Sequence, residues 1–291
     1  MTASARPANL PRLEPRKRDS SKGDYGRVTV LGGASGMSGA PALTAMAALR
    51  SGAGLVELLV PQPVVAISAS FDPCVMTHGL AAEQGGFAAA AAAEIAPRMA
   101  QAAAVAIGPG IGRTAPVHEI VLDLWRNLLQ PAVFDADALW ALARVPRERL
   151  RTHAGPRVIT PHRGEMLRLL GMEPTGSIPR GDLEQAAGEM ATAINAVIVL
   201  KGPGSFVVGN GRSAHNETGN PGMATAGTGD VLTGVVAALL AQGLGPFEAA
   251  RLATWIHGRA GDAAAADLGE VSMTARDLLD RLHVAFRELG A

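Results

Sequence analysis

Two hydrophobic periods alternate along this chain. Short β-branched runs end in glycine or proline, and between them lie stretches with apolar residues every three or four positions. Arg27–Gly33 (RVTVLGG) predicts a first strand, Ala42–Ser51 a helix, and Leu55–Val60 a second strand stopped by Pro61 and Pro63. Pro63–Ser70 and the alanine-rich Gly85–Gln101 predict helices, and Ala103–Ile107 a buried strand. Helix Pro116–Gln130, strand Ala132–Phe134, helix Ala138–Ala143, strand Arg157–Thr160 and helix Met166–Leu170 continue the alternation. Leu183–Asn195 predicts a helix and Val197–Leu200 a strand. Phe206–Val208 and Ser213–His215 form a hairpin across Asn210-Gly211. Val231, Leu232, Val235, Val236, Leu239 and Leu240 then recur at helical spacing, and Pro246–Ala265 and Thr274–Glu288 close the chain as helices. This order predicts one α/β domain over residues 23–291, with a mostly parallel central sheet and helices on both faces.

Composition narrows the function. Lys+Arg and Asp+Glu both number 26, so the net charge is zero, and aromatic residues make up 3%. Neither a charged surface for nucleic acid or membrane nor a stacking platform is expected. Cys74 is the only cysteine, which excludes an internal disulfide and a thiolate metal site and points to a reducing cytoplasm. No apolar run is long enough to span a bilayer. Residues 1–22 are basic, contain Pro7, Pro11 and Pro15, and lack the apolar core of a secretory signal; they read as a mobile tail.

The chemistry concentrates where glycine-rich turns meet strand ends or helix starts. In NPGMATAGTGDVLTG, the turn Gly227-Thr228-Gly229 feeds a buried helix. Unpaired N–H groups and the helix dipole make such a start an anion hole, and glycines let a phosphate approach the backbone. Asp230 is out of character there, because a carboxylate repels an anion. It reads either as an N-cap or as a general base acting on a hydroxyl beside the phosphate. GGASGMSG after the first strand, with Glu57 on the second, resembles a dinucleotide fold, but its spacing is not G-x-G-x-x-G and glycines for tight packing explain it equally. A second glycine loop, Gly108-Pro109-Gly110-Ile111-Gly112, ends the third predicted strand. Asp135 and Asp137 form a pair that can hold Mg²⁺ through water; a helix cap is favoured for Asp137, with Asp135 left open. His162 and Glu165 follow a strand in PHRGE. His162 reads as a backbone-satisfied loop residue or a substrate contact, Glu165 as a favourable first-turn acid or an organiser of Mg²⁺ waters. Lys201-Gly202-Pro203-Gly204-Ser205 offers backbone amides and one ammonium to a nucleotide without the Walker A pattern. All five loops are expected to converge on one crevice.

Those motifs, in the order YGRVTVLGGASGMSGA, VAIGPGIG, VFDADAL, VITPHRGEMLRLL, VLKGPGS and NPGMATAGTGDVLTG, resemble the ADP- or ATP-dependent NAD(P)H-hydrate dehydratases of the ribokinase-like superfamily over about residues 23–289. The resemblance implies a three-layer αβα fold and repair of NADHX and NADPHX. The ring hydroxyl takes a phosphoryl group from ADP, with ATP as the other donor, and phosphate then leaves, giving NADH or NADPH, AMP and phosphate. It implies Asp230 as base, the amides of Gly227, Thr228 and Gly229 around the phosphoryl group, and Ala40, Gly112, His162 and Asp230 at the hydrate. It further implies Lys201, Gly202, Pro203, Gly204, Ser205 and Gly229 at the nucleotide, and Glu165 in indirect support of Mg²⁺. A homo-oligomer and a separate epimerase are the implied partners. Met37 stands where the family usually carries an aromatic, and Arg163 where it often carries proline. A small-molecule kinase of the same superfamily, for a hydroxymethylpyrimidine or a sugar, is the alternative.

Overall fold

The computed structural model describes residues 7, 9–173 and 178–290. The strands are β1 (Arg27–Leu31), β2 (Leu55–Pro61), β3 (Met76–Leu80), β4 (Ala82–Glu83), β5 (Gly86–Phe87), β6 (Ala104–Ile107), β7 (Ala132–Phe134), β8 (Arg157–Ile159), β9 (Val197–Leu200), β10 (Phe206–Gly209) and β11 (Arg212–His215). The helices are α1 (Gly39–Arg50), α2 (Val65–Ala69), α3 (Ala91–Met99), α4 (Ala115–Asn127), α5 (Asp137–Leu142), α6 (Arg147–Leu150), α7 (Arg163–Leu169), α8 (Arg180–Ile194), α9 (Thr228–Ala241), α10 (Pro246–Leu268) and α11 (Ala275–Leu289). Nine strands form one sheet in the order β11-β10-β9-β8-β7-β6-β1-β2-β3. Neighbours from β3 to β9 pair in parallel, and only β10 runs against them, antiparallel to both β9 and β11.

Strand alternation builds two cores. Val28, Val30, Val133, Val197 and Val199 face α1, α9, α10 and α11. Leu31, Val105, Phe134, Ile198 and Leu200 face α3, α4, α5, α7 and α8. The period of two sends adjacent residues to opposite layers, so the central strands are apolar on both faces apart from the buried Thr29, Glu57 and Arg157, as a doubly covered parallel sheet requires. Helix α9 is buried from Val231 to Leu240. Its Gly234 lies against the backbone of α1, where a Cβ would collide with the Thr44 carbonyl. This contact holds the α9 N-terminus at the carboxyl end of the sheet. The chain runs outward from β1 to β3 and then returns to the other side of β1 at β6. The loops after β1 and β6 therefore flank the switch point, where open α/β sheets bind ligands.

Three expectations are corrected. Gly85–Gln101 is not one helix: Gly85 sits at φ +78° in the β4–β5 turn, and helix begins only at Ala91. The alanine run carried helix propensity but no apolar period to fix its start. Strand β3, which was not foreseen, forms the sheet edge beside β2. Residues 9–22 of the expected tail do not hang free; residues 1–6 and 8 lie outside the described set. Leu10 is buried in the core layer of α10, Arg251 donates to the Asn9 backbone and side chain, and Arg16 donates to the Gly52 carbonyl. Among the described residues no helix is long and apolar enough to cross a membrane.

Candidate active site

The N-cap of α9 is Gly227 at φ +92°, three residues before Asp230, so Asp230 lies inside the first turn and is not the cap. A Cβ on Gly227 would also press on Leu43 at 2.7 Å and Ala275 at 2.9 Å. The Thr228 hydroxyl turns back to the carbonyls of Met223 and Thr225, 3.0 Å from each. Among the described residues none accepts from the backbone N–H of Gly227, Thr228, Gly229 or Asp230. Four donors thus open the helix with its positive dipole end toward the crevice.

Asp230 lies in that first turn, half-buried, and among the described residues no side chain pairs with its carboxylate. Burial pushes its carboxyl up to about 7, and the negative charge of Asp135 adds to the rise while Lys201 opposes it. A carboxylate in this range can take a proton near neutral pH. The Thr44 hydroxyl of α1 donates to the Asp230 carbonyl at 3.0 Å, tying the turn to the neighbouring helix.

Adjacent strand ends supply the surroundings. Asp135, just past β7, is buried and meets Lys201 Nζ at 2.8 Å through one oxygen and the Thr233 hydroxyl at 2.7 Å through the other. Lys201, just past β9, also lies 3.9 Å from Glu165. Burial opposes the Lys201 charge, but Asp135, Glu165 and Asp230 outweigh it and hold its pKa above the ordinary value. Burial raises Glu165 to about 7 against the pull of Lys201. His162 caps α7: its Nδ1 accepts from the amides of Gly164 and Glu165, and its own amide donates to Glu165 at 2.8 Å. The backbone-satisfied reading of His162 thus describes one nitrogen; the ring itself is largely exposed at the crevice mouth. Burial, then Lys201, keeps its pKa below the ordinary histidine value.

Two further corrections concern the acids. Asp137 does not cap α5; Ala136 holds that position without a side-chain bond. Asp137 instead accepts from the Gly112 amide at 3.1 Å and from Arg113 at 2.7 Å. With Asp135 committed to Lys201 and Thr233, the pair does not open onto a shared metal position. Glu57 is remote from this crevice chemistry: buried on β2, it pairs with Arg98 at 2.7 Å and His78 at 3.0 Å. Held by these two side chains, Glu57 is not a ribose-binding acid of a dinucleotide fold.

The two early glycine loops dock on each other. The amides of Gly33 and Ala34 donate to the Pro109 and Gly110 carbonyls, and a Cβ on Gly110 would reach Ala40 at 3.4 Å. Ala40 and Gly112 therefore belong to one wall. In the Lys201–Ser205 loop, Gly202 and Gly204 take positive φ, and Arg180 donates to the Leu200 and Gly204 carbonyls. A Cβ on Gly229 would lie 3.1 Å from Lys201 Nζ, which brings that loop to the anion hole. Lys201 thus joins the Pro161–Glu165, Lys201–Ser205 and Gly227–Asp230 loops, and the two early glycine loops join each other. Thr233, Arg180 and His257 escaped the sequence reading. Thr233 lies one turn beyond Gly229, Arg180 starts a distant helix, and His257 is a polar residue on the inner face of α10. Its Nε2 lies 2.8 Å from the Thr228 carbonyl, and burial lowers its pKa to about 4.

The fold is that of a ribokinase-like protein. A ribokinase-like superfamily protein from Enterococcus faecalis superposes with a TM-score of 0.80 at 25% identity, over 95% of this chain and 92% of that one. The sequence model of the NAD(P)H-hydrate dehydratases matches residues 28–283, and the chain belongs to that family. It is 43% identical to the bifunctional NAD(P)H-hydrate repair enzyme Nnr of Moorella thermoacetica over 99% of this chain and 54% of that protein. The chain spans about half the length of the curated relatives it matches. A Bacillus subtilis ADP/ATP-dependent NAD(P)H-hydrate dehydratase, co-crystallised with ATP/Mg²⁺, superposes with a TM-score of 0.78 at 27% identity, over 97% of this chain and all of that one.

Proposed function

We propose that this chain dehydrates the S epimer of NADHX and NADPHX to NADH and NADPH at the expense of ADP. The observation that carries the reading is Asp230, a raised-pKa carboxylate set among the unpaired amides of a helix start. Asp230 takes the proton of the ring hydroxyl as its oxygen attacks the terminal phosphorus of ADP. The bond from that phosphorus to the AMP oxygen breaks, and AMP leaves. The amides of Gly227, Thr228 and Gly229 stabilise charge on the passing phosphoryl group. The phosphorylated carbon then loses phosphate, the neighbouring ring carbon loses a proton, and the double bond of the reduced nicotinamide re-forms. Phosphate is a far better leaving group than hydroxide, which is what the nucleotide contributes.

Gly202, Pro203, Gly204 and Ser205 hold the nucleotide together with Gly229, and Lys201 sets positive charge beside the phosphates. Ala40, Gly112 and His162 line the hydrate side. Among the described residues no cluster of three His, Cys, Asp or Glu can hold a metal alone. Glu165 would be the carboxylate that supports Mg²⁺ through water beside the phosphates. Bound there, Mg²⁺ would shield phosphate charge. The proposal includes ADP rather than ATP as donor, a homo-oligomer, a cytoplasmic setting and a separate epimerase that supplies the S form.

Incubation with NADHX, Mg²⁺ and ADP is expected to produce the reduced-nicotinamide absorbance together with AMP and free phosphate. Asp230→Asn is expected to bind nucleotide and fail to turn over. Formation of a stable phosphorylated product with no free phosphate would establish a small-molecule kinase instead.

A further inference from the structure

We propose that His257 is a positioning residue for phosphoryl transfer, locking the peptide that joins Thr228 to Gly229 so that its N–H faces the phosphoryl group. The inference rests on the reaction assigned above and adds a residue from α10 to it. A carbonyl only accepts, so the 2.8 Å contact with the Thr228 carbonyl requires the proton on His257 Nε2. That carbonyl and the Gly229 N–H are the two ends of one planar amide. A donor on the oxygen fixes the plane and polarises the amide, strengthening its N–H as a donor at the other end. Burial lowers the imidazole pKa to about 4, with the Lys201 charge adding to the fall, so the ring stays neutral through the working range. A neutral ring adds no positive charge that would compete with Lys201.

The surrounding contacts show that α10 is built as a cradle for this helix start. Gly258 lies against Thr218, and Gly261 lies against Met223; a Cβ on either would collide. Asp262 accepts from the Gly219 amide and from Asn220, each at 3.2 Å. Met223 in turn supplies one of the carbonyls that hold the Thr228 hydroxyl. His257 is the member of this row that reaches α9 itself. A partly buried histidine placed only for packing would not need its one proton directed at the Thr228 carbonyl in this turn.

The test compares His257→Leu, His257→Asn and His257→Gln. Glutamine carries a donor near the Nε2 position, whereas the shorter asparagine falls short of the Thr228 carbonyl. Leucine and asparagine are expected to lower kcat by about tenfold to a hundredfold, a fraction of what losing an oxyanion donor outright costs. KM for the hydrate should stay within about twofold, and glutamine should recover most of the rate. The affinity ratio of ADP over AMP, measured by calorimetry, should fall in the first two variants and return in the third. Equal kcat and equal ADP/AMP ratios across the variants would overturn the proposal, as would a glutamine variant no better than asparagine. Should leucine not fold, the asparagine–glutamine pair decides alone. Failure of the wild-type chain to act on NADHX would instead defeat the assigned reaction, while the ADP/AMP ratio would still decide the role of His257.

Discussion

Gly229 sits one residue before Asp230, and a methyl group added there would lie 3.1 Å from Lys201 Nζ and 3.7 Å from Asp135 Oδ2. The first distance is tight by a few tenths of an ångström, and Lys201 is the end of a flexible side chain. Its partner is a buried carboxylate 2.8 Å away. Removing one member of such a pair costs about 3–5 kcal/mol, so a displacement that stretches it costs about 1 kcal/mol. Alanine within a helix recovers about 0.5–1 kcal/mol over glycine through lower chain entropy. The two effects nearly cancel, and the melting temperature of Gly229→Ala is expected within a few degrees of wild type. The catalytic effect does not cancel, because under the proposed reaction the methyl group would stand where the phosphoryl group approaches the backbone. A loss of about 10²–10³ in kcat/KM is expected, comparable to removal of an oxyanion donor. Thermal melts and ADP-dependent formation of reduced nicotinamide measure the two sides separately. An alanine variant that keeps more than half the wild-type kcat/KM would refute the placement of the phosphoryl group.

A base must be deprotonated, so with Asp230 raised to about 7 by burial, kcat/KM should rise about tenfold per pH unit below that value and level off above it. The same shift bears on stability: between the ordinary carboxylate pKa and about 7 the folded chain keeps a proton that the unfolded chain has released. Stability from this group therefore falls as pH rises through that window, and Asp230→Asn should raise the melting temperature more at pH 8 than at pH 5. Lys201→Met should destabilise by about 3 kcal/mol by stranding Asp135, and adding Asp135→Asn should restore part of that loss in denaturant titrations; strictly additive losses would argue against the pairing. Leu10→Ala should cost about 2–3 kcal/mol, since Leu10 is buried under α10; no change would show that residues 9–22 contribute nothing to the core.

How much of this was legible before folding differs from loop to loop. The Gly227–Asp230 turn announced itself because three signals coincide in a few residues: glycines, a carboxylate and the onset of an apolar helix. Lys201–Ser205 and Gly108–Gly112 were found by the same logic, a strand stopping in glycine. The sequence leaves Asp135 open because its meaning lies in Lys201, 66 residues away, and in Thr233, 98 residues away. At Asp137 the sequence offers a local role, the helix cap, whereas its actual partners, Gly112 and Arg113, come from the neighbouring strand end. Strand β3 was missed because MTHGL has weak strand propensity and exists through pairing with β2.

By itself the sequence determined the alternation of strands and helices and the positions where the backbone must turn on glycine. These follow from side-chain period and local backbone sterics, which act over a few residues. Only the tertiary structure decided which charges meet. The sheet order places the ends of β6, β7, β8 and β9 side by side, and burial there lifts Asp230 into the range of a base. Desolvation and Coulomb interaction depend on distance through space, and no spacing along the chain encodes that distance.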